Sequence, residues 1–169
     1  MSRSTTLTNV ERLILANQYE ILSRQADNEY DTEKFLRIAK QLRDGHKWLY
    51  EQIFEYIDDD LDNESAEFVV NVLSLHRALL SSYEELDDKS DLKEKDVIFK
   101  GFDGNNEGSL MYFAEALSED GRFCEVIEKG NLNSHCPMIR TYQEMLQTWE
   151  KFDKEYELSK EQILEIINK

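Results

Sequence analysis

Along most of this chain apolar residues return every three or four positions, the spacing that gathers them on one face of an α-helix. The first run opens at Thr8-Asn9-Val10-Glu11. There the threonine hydroxyl can accept the Glu11 amide while the Glu11 carboxylate reaches back to Thr8, a capping box that starts a helix. The pattern carries that helix to about residue 25. Val10, Ile14 and Ile21 fall on one side of it and Leu15, Tyr19 and Leu22 on another. A helix apolar on two sides lies between neighbours or at an oligomer interface. A second helix is predicted over about 32–43, with Phe35, Ile38, Ala39 and Leu42 inward and Gly45 as its stop. A third follows over about 47–57, carrying Trp48, Leu49, Ile53, Phe54 and Ile57.

The acidic run 58–64 interrupts the pattern, and its charges suit the positive end of a following helix. That helix, about 64–86, has Phe68, Val69, Val72, Leu73, Leu75, Leu79, Leu80 and Tyr83 on one broad arc and is predicted to be the central core element. Residues 87–96 read as a charged connector. Val97-Ile98-Phe99 is short and apolar, so a minor two-strand element pairing 97–99 with 123–127 is expected. Five of the six glycines lie between 101 and 130, which concentrates irregular backbone there. Around them a helix is predicted over about 107–119. Another starts at Pro137, capped near Ser134 or Cys136, with Met138, Tyr142, Met145, Leu146, Trp149 and Phe152 as its stripe. Ser159-Lys160-Glu161-Gln162 is a second capping box and opens a terminal helix. The sum is an all-α fold: a bundle of about six to seven helices forming a single domain over 1–169, with 1–8 as a flexible N-terminus.

Composition adjusts this picture little. The single Pro and six Gly argue against a β-sandwich, and the 8 Phe, 8 Tyr and 2 Trp supply enough anchoring area to exclude wholesale disorder. Apolar runs stop well short of the roughly 18–20 residues a membrane span needs, and no secretory signal opens the chain. Two cysteines, Cys124 and Cys136, make no disulfide framework, so both thiols are expected free in a reducing cytoplasm. Charge changes the picture more. The net charge is −16 and unevenly spread: the first fifty residues are close to neutral, whereas 51–96 hold 15 acidic residues against 4 basic ones. A surface of that kind repels nucleic acid and anionic lipid and chiefly keeps the protein in solution.

Candidate chemistry is sparse. Asp103-x-Asn105-x-Glu107-Gly108 matches the first half of a calcium loop, with Leu110 at the usual apolar position, but position 12 is Ala114 where a bidentate Glu is needed. The plainer alternative is a Gly-rich turn whose polar side chains cap the next helix. Asp58, Asp60 and Asp62 also alternate, but Asn63 replaces the required Gly. Cys124, His135 and Cys136 lack paired zinc spacing, and a Cys-His nucleophile pair needs a convergence that adjacency does not supply. His76 sits on the apolar arc of the central helix, where a hydrogen-bonded core histidine is the ordinary occupant. The stripe Lys34, Arg37, Lys40, Arg43 (with Lys47) is the one basic feature and the candidate nucleic-acid surface. The helix after it carries Glu51, Glu55 and the acidic run, which makes it a poor phosphate reader. No phosphate-binding, dinucleotide or hydrolase motif is present.

Three stretches in order, Glu11-Arg12-Leu13-Ile14-Leu15-Ala16-Asn17-Gln18-Tyr19, Lys100-Gly101-Phe102-Asp103 and Leu158-Ser159 through Ile163 to Ile166-Ile167-Asn168, resemble the YfbU family of bacterial proteins. The resemblance implies a helical fold and a bacterial cytoplasmic origin. It brings no assigned activity, catalytic residue or cofactor. The function expected is therefore non-enzymatic: protein interaction or regulation by a homodimer with a further protein partner, needing no cofactor and no membrane. The alternatives are a nucleic-acid-linked regulator using the 34–47 stripe and a metal-dependent enzyme built on Asp103, Asn105 and Glu107.

Overall fold

In the computed structural model, residues 6–55, 57 and 59–168 are described. Among them nine α-helices and one 3-10 turn form, and no strand. Packing divides the chain into two compact units, Met1–Asp60 and Leu61–Lys169, each with its own apolar cluster, where the sequence suggests a single domain.

The first unit is a helical hairpin with a short appendage. α1 (Asn9–Gln25) starts at the expected capping box, with Thr8 N–H donating to Glu11 Oε2 at 2.7 Å. α2 (Glu29–Asp44) begins three residues before the apolar pattern does. Asn28 takes the Asp31 amide at 2.8 Å, and a polar cap of that kind starts a helix whatever follows. Gly45 closes α2 in the left-handed conformation, φ 75°, as expected. The third predicted helix is shorter than its pattern: α3 (Lys47–Tyr50) tightens into a 3-10 turn over Glu51–Phe54. Tyr56 and Asp58, which the predicted helix and acidic run include, lie outside the described residues, as do residues 1–5 of the expected flexible N-terminus. Thr6 to Thr8 are described, and Leu7 packs against the cluster of Ala16, Ala39, Leu42 and Tyr50.

The second unit is built around α4 (Asn63–Glu85), capped by Asp62 on the Ser65 amide and lined with Val69, Val72, Leu73, Leu75, Ala78 and Leu79, all fully buried. Against it pack α5 (Glu94–Val97), α6 (Gly108–Glu119), α7 (Cys124–Lys129), α8 (Ile139–Glu150) and α9 (Lys160–Ile167). Ser82 fastens the approach to α9: its hydroxyl donates to Tyr156 O at 2.9 Å and accepts from Leu158 N at 2.8 Å. The expected strand pair is corrected here. Val97 closes α5, and residues 124–129 are helical, launched from Phe123 at φ 57°. The extended backbone lies elsewhere. Phe99 O accepts from Asn131, Phe102 N donates to Leu132 O, and Phe102 forms an isolated parallel bridge with Asn133.

Candidate functional site

Three places hold the residues singled out from sequence, together with others that sequence missed. The first is the α1–α2 hairpin. Leu15, Ala16, Tyr19 and Ser23 turn toward α2, while the opposite side of α1 is bare: Val10 is 66% exposed, Leu13 49%, Ile14 57% and Ile21 54%. The basic stripe runs along α2. Lys40 pairs with Asp44, and Arg43 clasps Glu20 at 2.8 Å and Asn17 at 2.8 Å, so half of the stripe is neutralised by its own unit. Lys34 and Arg37 have no carboxylate partner among the described residues. They line an open cleft of about 430 Å³ with Phe35, Ile38 and Ile53.

The second place is the loop 101–108. The structure does bring Asp103 and Glu107 together, both buried, and leaves Asn105 exposed. Their oxygens are committed to the backbone. Asp103 caps the turn by accepting from Asn105 N and the Asn106 side chain, bonds that hold its carboxyl below the usual range, Asn106 contributing most. Glu107 Oε2 accepts from Asp103 N at 2.9 Å, and Oε1 accepts from Met138 N at 2.8 Å and Ile139 N at 2.9 Å. The start of α8 is thus capped by a carboxylate 31 residues away in sequence, not by Ser134 or Cys136 as the local pattern suggests. No local signal announces that, because capping motifs describe neighbours. Among the described residues no three His, Cys, Asp or Glu side chains gather as metal ligands. Cys124 Sγ lies against Ser118 O, while Cys136 and His135 are exposed.

The third place surrounds His76, 2% exposed on α4. Its Nδ1 lies 2.9 Å from Val97 O. A carbonyl can only accept, so the proton sits on Nδ1 and Nε2 presents a lone pair. Nε2 is the one buried side-chain nitrogen or oxygen among the described residues that lacks a partner. Burial, and secondarily the Lys100 charge, hold the imidazole down at about 4 against the Val97 bond that favours its protonation. Phe99 and Tyr142 meet the ring edge-on, each 5.5 Å between centroids, and Tyr142 OH donates to Gly101 O at 2.9 Å. Beside them is a cavity of about 70 Å³, lined among others by His76, Asp96, Lys100, Thr141 and Tyr142. Sequence reasoning picked His76 out of this group, and no spacing could have joined it to residues so far along the chain.

These features define an all-α protein with no strand among its described residues and with its conspicuous carboxylates spent on the backbone. The chain belongs to the YfbU domain family, whose model matches residues 5–169. It is 37% identical over 171 aligned residues to the UPF0304 protein of Methanocaldococcus jannaschii, covering 96% of this chain and 99% of that one. That relative is archaeal, so the bacterial origin implied by the resemblance does not describe the family as a whole. Among the described residues no helix is long and apolar enough to cross a membrane.

Proposed function

We propose that this chain acts by protein interaction as a homodimer, two copies pairing through the bare face of α1. The observation that carries this is the line of Val10, Leu13, Ile14 and Ile21, open to solvent on the side of α1 that faces away from α2. Large apolar side chains grouped in the open on one side of a helix are a usual mark of an interface. The first unit gives a second reason. About 60 residues is near the lower limit for a stable core, and among the described residues its apolar cluster has only Ala16, Ala39, Leu42 and Tyr50 buried. Charge selects a second copy as the occupant. α1 carries Glu11 and Glu20 against Arg12 and Arg24 and is neutral overall, whereas the whole chain is at −16. Two such molecules meet most cheaply along their neutral helices, and an antiparallel, two-fold pairing sets the Glu11 end of one against the Arg24 end of the other.

Sedimentation equilibrium at micromolar concentration tests this. Twice the 20.0 kDa chain mass is expected, falling to the single mass in Leu13→Glu/Ile14→Glu with the helical circular dichroism retained. A wild-type chain that sediments as a monomer, or a dimer that survives the double substitution, overturns the proposal.

A further inference from the structure

The open cleft of the first unit is built from side chains other than those of the bare α1 face: none of Val10, Leu13, Ile14 and Ile21 lines it. Two kinds of surface meet in it. Phe35, Ile38 and Ile53, all half-buried, form an apolar wall with Tyr19 and Leu49, and the Tyr19 and Phe35 rings lie 6.0 Å apart between centroids. Apolar surface left half open gains by being covered. Lys34 and Arg37 belong to the same lining, one turn apart on α2, with Ile38 and Gln41 continuing the row. Lys40 and Arg43 spend their charges on Asp44 and Glu20, whereas neither Lys34 nor Arg37 makes an ion pair or hydrogen bond with a described residue. Cations set beside an apolar wall suit an anion with an apolar body. Charge also limits how many negative groups that anion can bring. Glu55 stands on the lining, the acidic run 58–64 follows it in the chain, and the whole chain is at −16. A nucleic-acid strand or an acidic protein segment carries its further charges into that field and is repelled. A single carboxylate is not, and it is served by both cations, Arg37 offering a planar fork and Lys34 a point charge.

We propose that this cleft binds a small amphipathic monocarboxylic acid, its carboxylate held by Lys34 and Arg37 and its apolar body laid against Phe35, Ile38 and Ile53. A neutral molecule of the same shape leaves the two cations unmet, and a carboxylate without an apolar body leaves the wall uncovered.

The test uses the full chain uniformly labelled with ¹⁵N and follows its backbone amides by NMR. Sodium octanoate is titrated below its micellar concentration at constant ionic strength, against 1-octanol and octylammonium chloride, which keep the apolar body and change the head. Saturable shifts centred on the cleft amides, 34–41 and 49–53, are expected with octanoate. Octanol should bind about tenfold more weakly and octylammonium should not saturate. Arg37→Gln, at an exposed position, should weaken octanoate about tenfold, the effect of one charge-assisted hydrogen bond. Lys40→Gln removes the same charge outside the cleft and should leave the affinity unchanged. Leu13→Glu/Ile14→Glu should bind octanoate as the unsubstituted chain does, which reads this site separately from the α1 pairing. Absence of saturable shifts, or shifts centred on the open face of α1, overturns the proposal. So does octanol or octylammonium binding as well as octanoate, or equal effects of Arg37→Gln and Lys40→Gln. A thymidine oligonucleotide that displaces octanoate at a lower concentration than octanoate needs to bind would assign the cleft to nucleic acid and overturn it too.

Discussion

Glu107 shows how much structure one side chain can carry when its oxygens are all in use. It ties the loop at Asp103 to the first amides of α8, two segments that contribute little regular hydrogen bonding of their own. In Glu107→Gln the remaining oxygen can still accept from Met138 and Ile139, but the new NH₂ is turned on the Asp103 N–H, donor against donor. A loss of about 1–3 kcal/mol in urea unfolding is expected, the cost of one buried unsatisfied group. Asn105→Ala, at an exposed position that engages the loop through its backbone N–H, should stay within about 0.5 kcal/mol. Equal effects at the two positions would mean that Glu107 is not the clamp. His76 makes a different prediction. Its proton affinity drops from the usual 6.5 to about 4 on folding, mainly through burial. Between those values the unfolded chain takes up a proton that the folded chain refuses, so stability is full above about pH 6.5 and falls as the pH drops toward 4. At pH 5 the loss relative to pH 7 should be roughly 2 kcal/mol, and His76→Phe should remove it. Carboxyls that their bonds hold low, such as Asp62, Asp103 and Glu125, act in the same direction but lower on the pH scale. Their contribution is present above the ordinary 3.8 to 4.5 and is lost as the pH falls below it, so the span from pH 7 to 5 reports the histidine. A flat pH profile between 7 and 5 would sink the assignment. The sequence singled out both residues and the right neighbourhoods. It could not show that Glu107 reaches Met138 or that His76 stands beside Lys100, because those meetings are made by tertiary packing.

At the scale of elements, what was legible is what is local. The capping boxes at Thr8 and Ser159, the left-handed stop at Gly45 and the long arc of α4 are all encoded within a turn or two of sequence, and they form where expected. The predicted strands failed for the converse reason. Val97-Ile98-Phe99 is apolar because it enters the core beside α4, and a short buried run does not reveal whether it is strand or helix end. The pairing that does form, Phe99 and Phe102 with residues 131–133, depends on Gly101. At φ 89° a Cβ there would stand 2.3 Å from Leu132 O, the acceptor of the Phe102 amide. Gly101→Ala should therefore push the two segments apart and cost about 1–3 kcal/mol in chemical denaturation. Gly121→Ala is the control: its φ is 80°, but nothing lies within 4 Å of the added carbon, so only the backbone penalty of about 1 kcal/mol remains. If the two substitutions cost the same, the close approach at Leu132 contributes nothing.

For the whole molecule the decisive quantity is charge set against the open apolar face of α1. Each copy carries −16, most of it beyond residue 50, so bringing two copies together costs electrostatic work that is smallest along the nearly neutral first fifty residues, α1 among them. Salt shortens the reach of that repulsion, from a screening length of about 10 Å at 0.1 M to about 3 Å at 1 M, while burial of Val10, Leu13, Ile14 and Ile21 is not weakened by it. Self-association through α1 should therefore tighten as sodium chloride rises, by about three- to tenfold between roughly 0.05 and 0.5 M. An interface made by the cations of α2 meeting the acidic surface of another copy has the opposite dependence, because salt screens the attraction that holds it. Lys40 and Arg43 are already occupied by Asp44 and Glu20, which leaves Lys34 and Arg37 to sustain such a contact. Sedimentation equilibrium across the salt series separates the two: tightening places the contact on α1, and loosening moves it to α2 and overturns the α1 pairing.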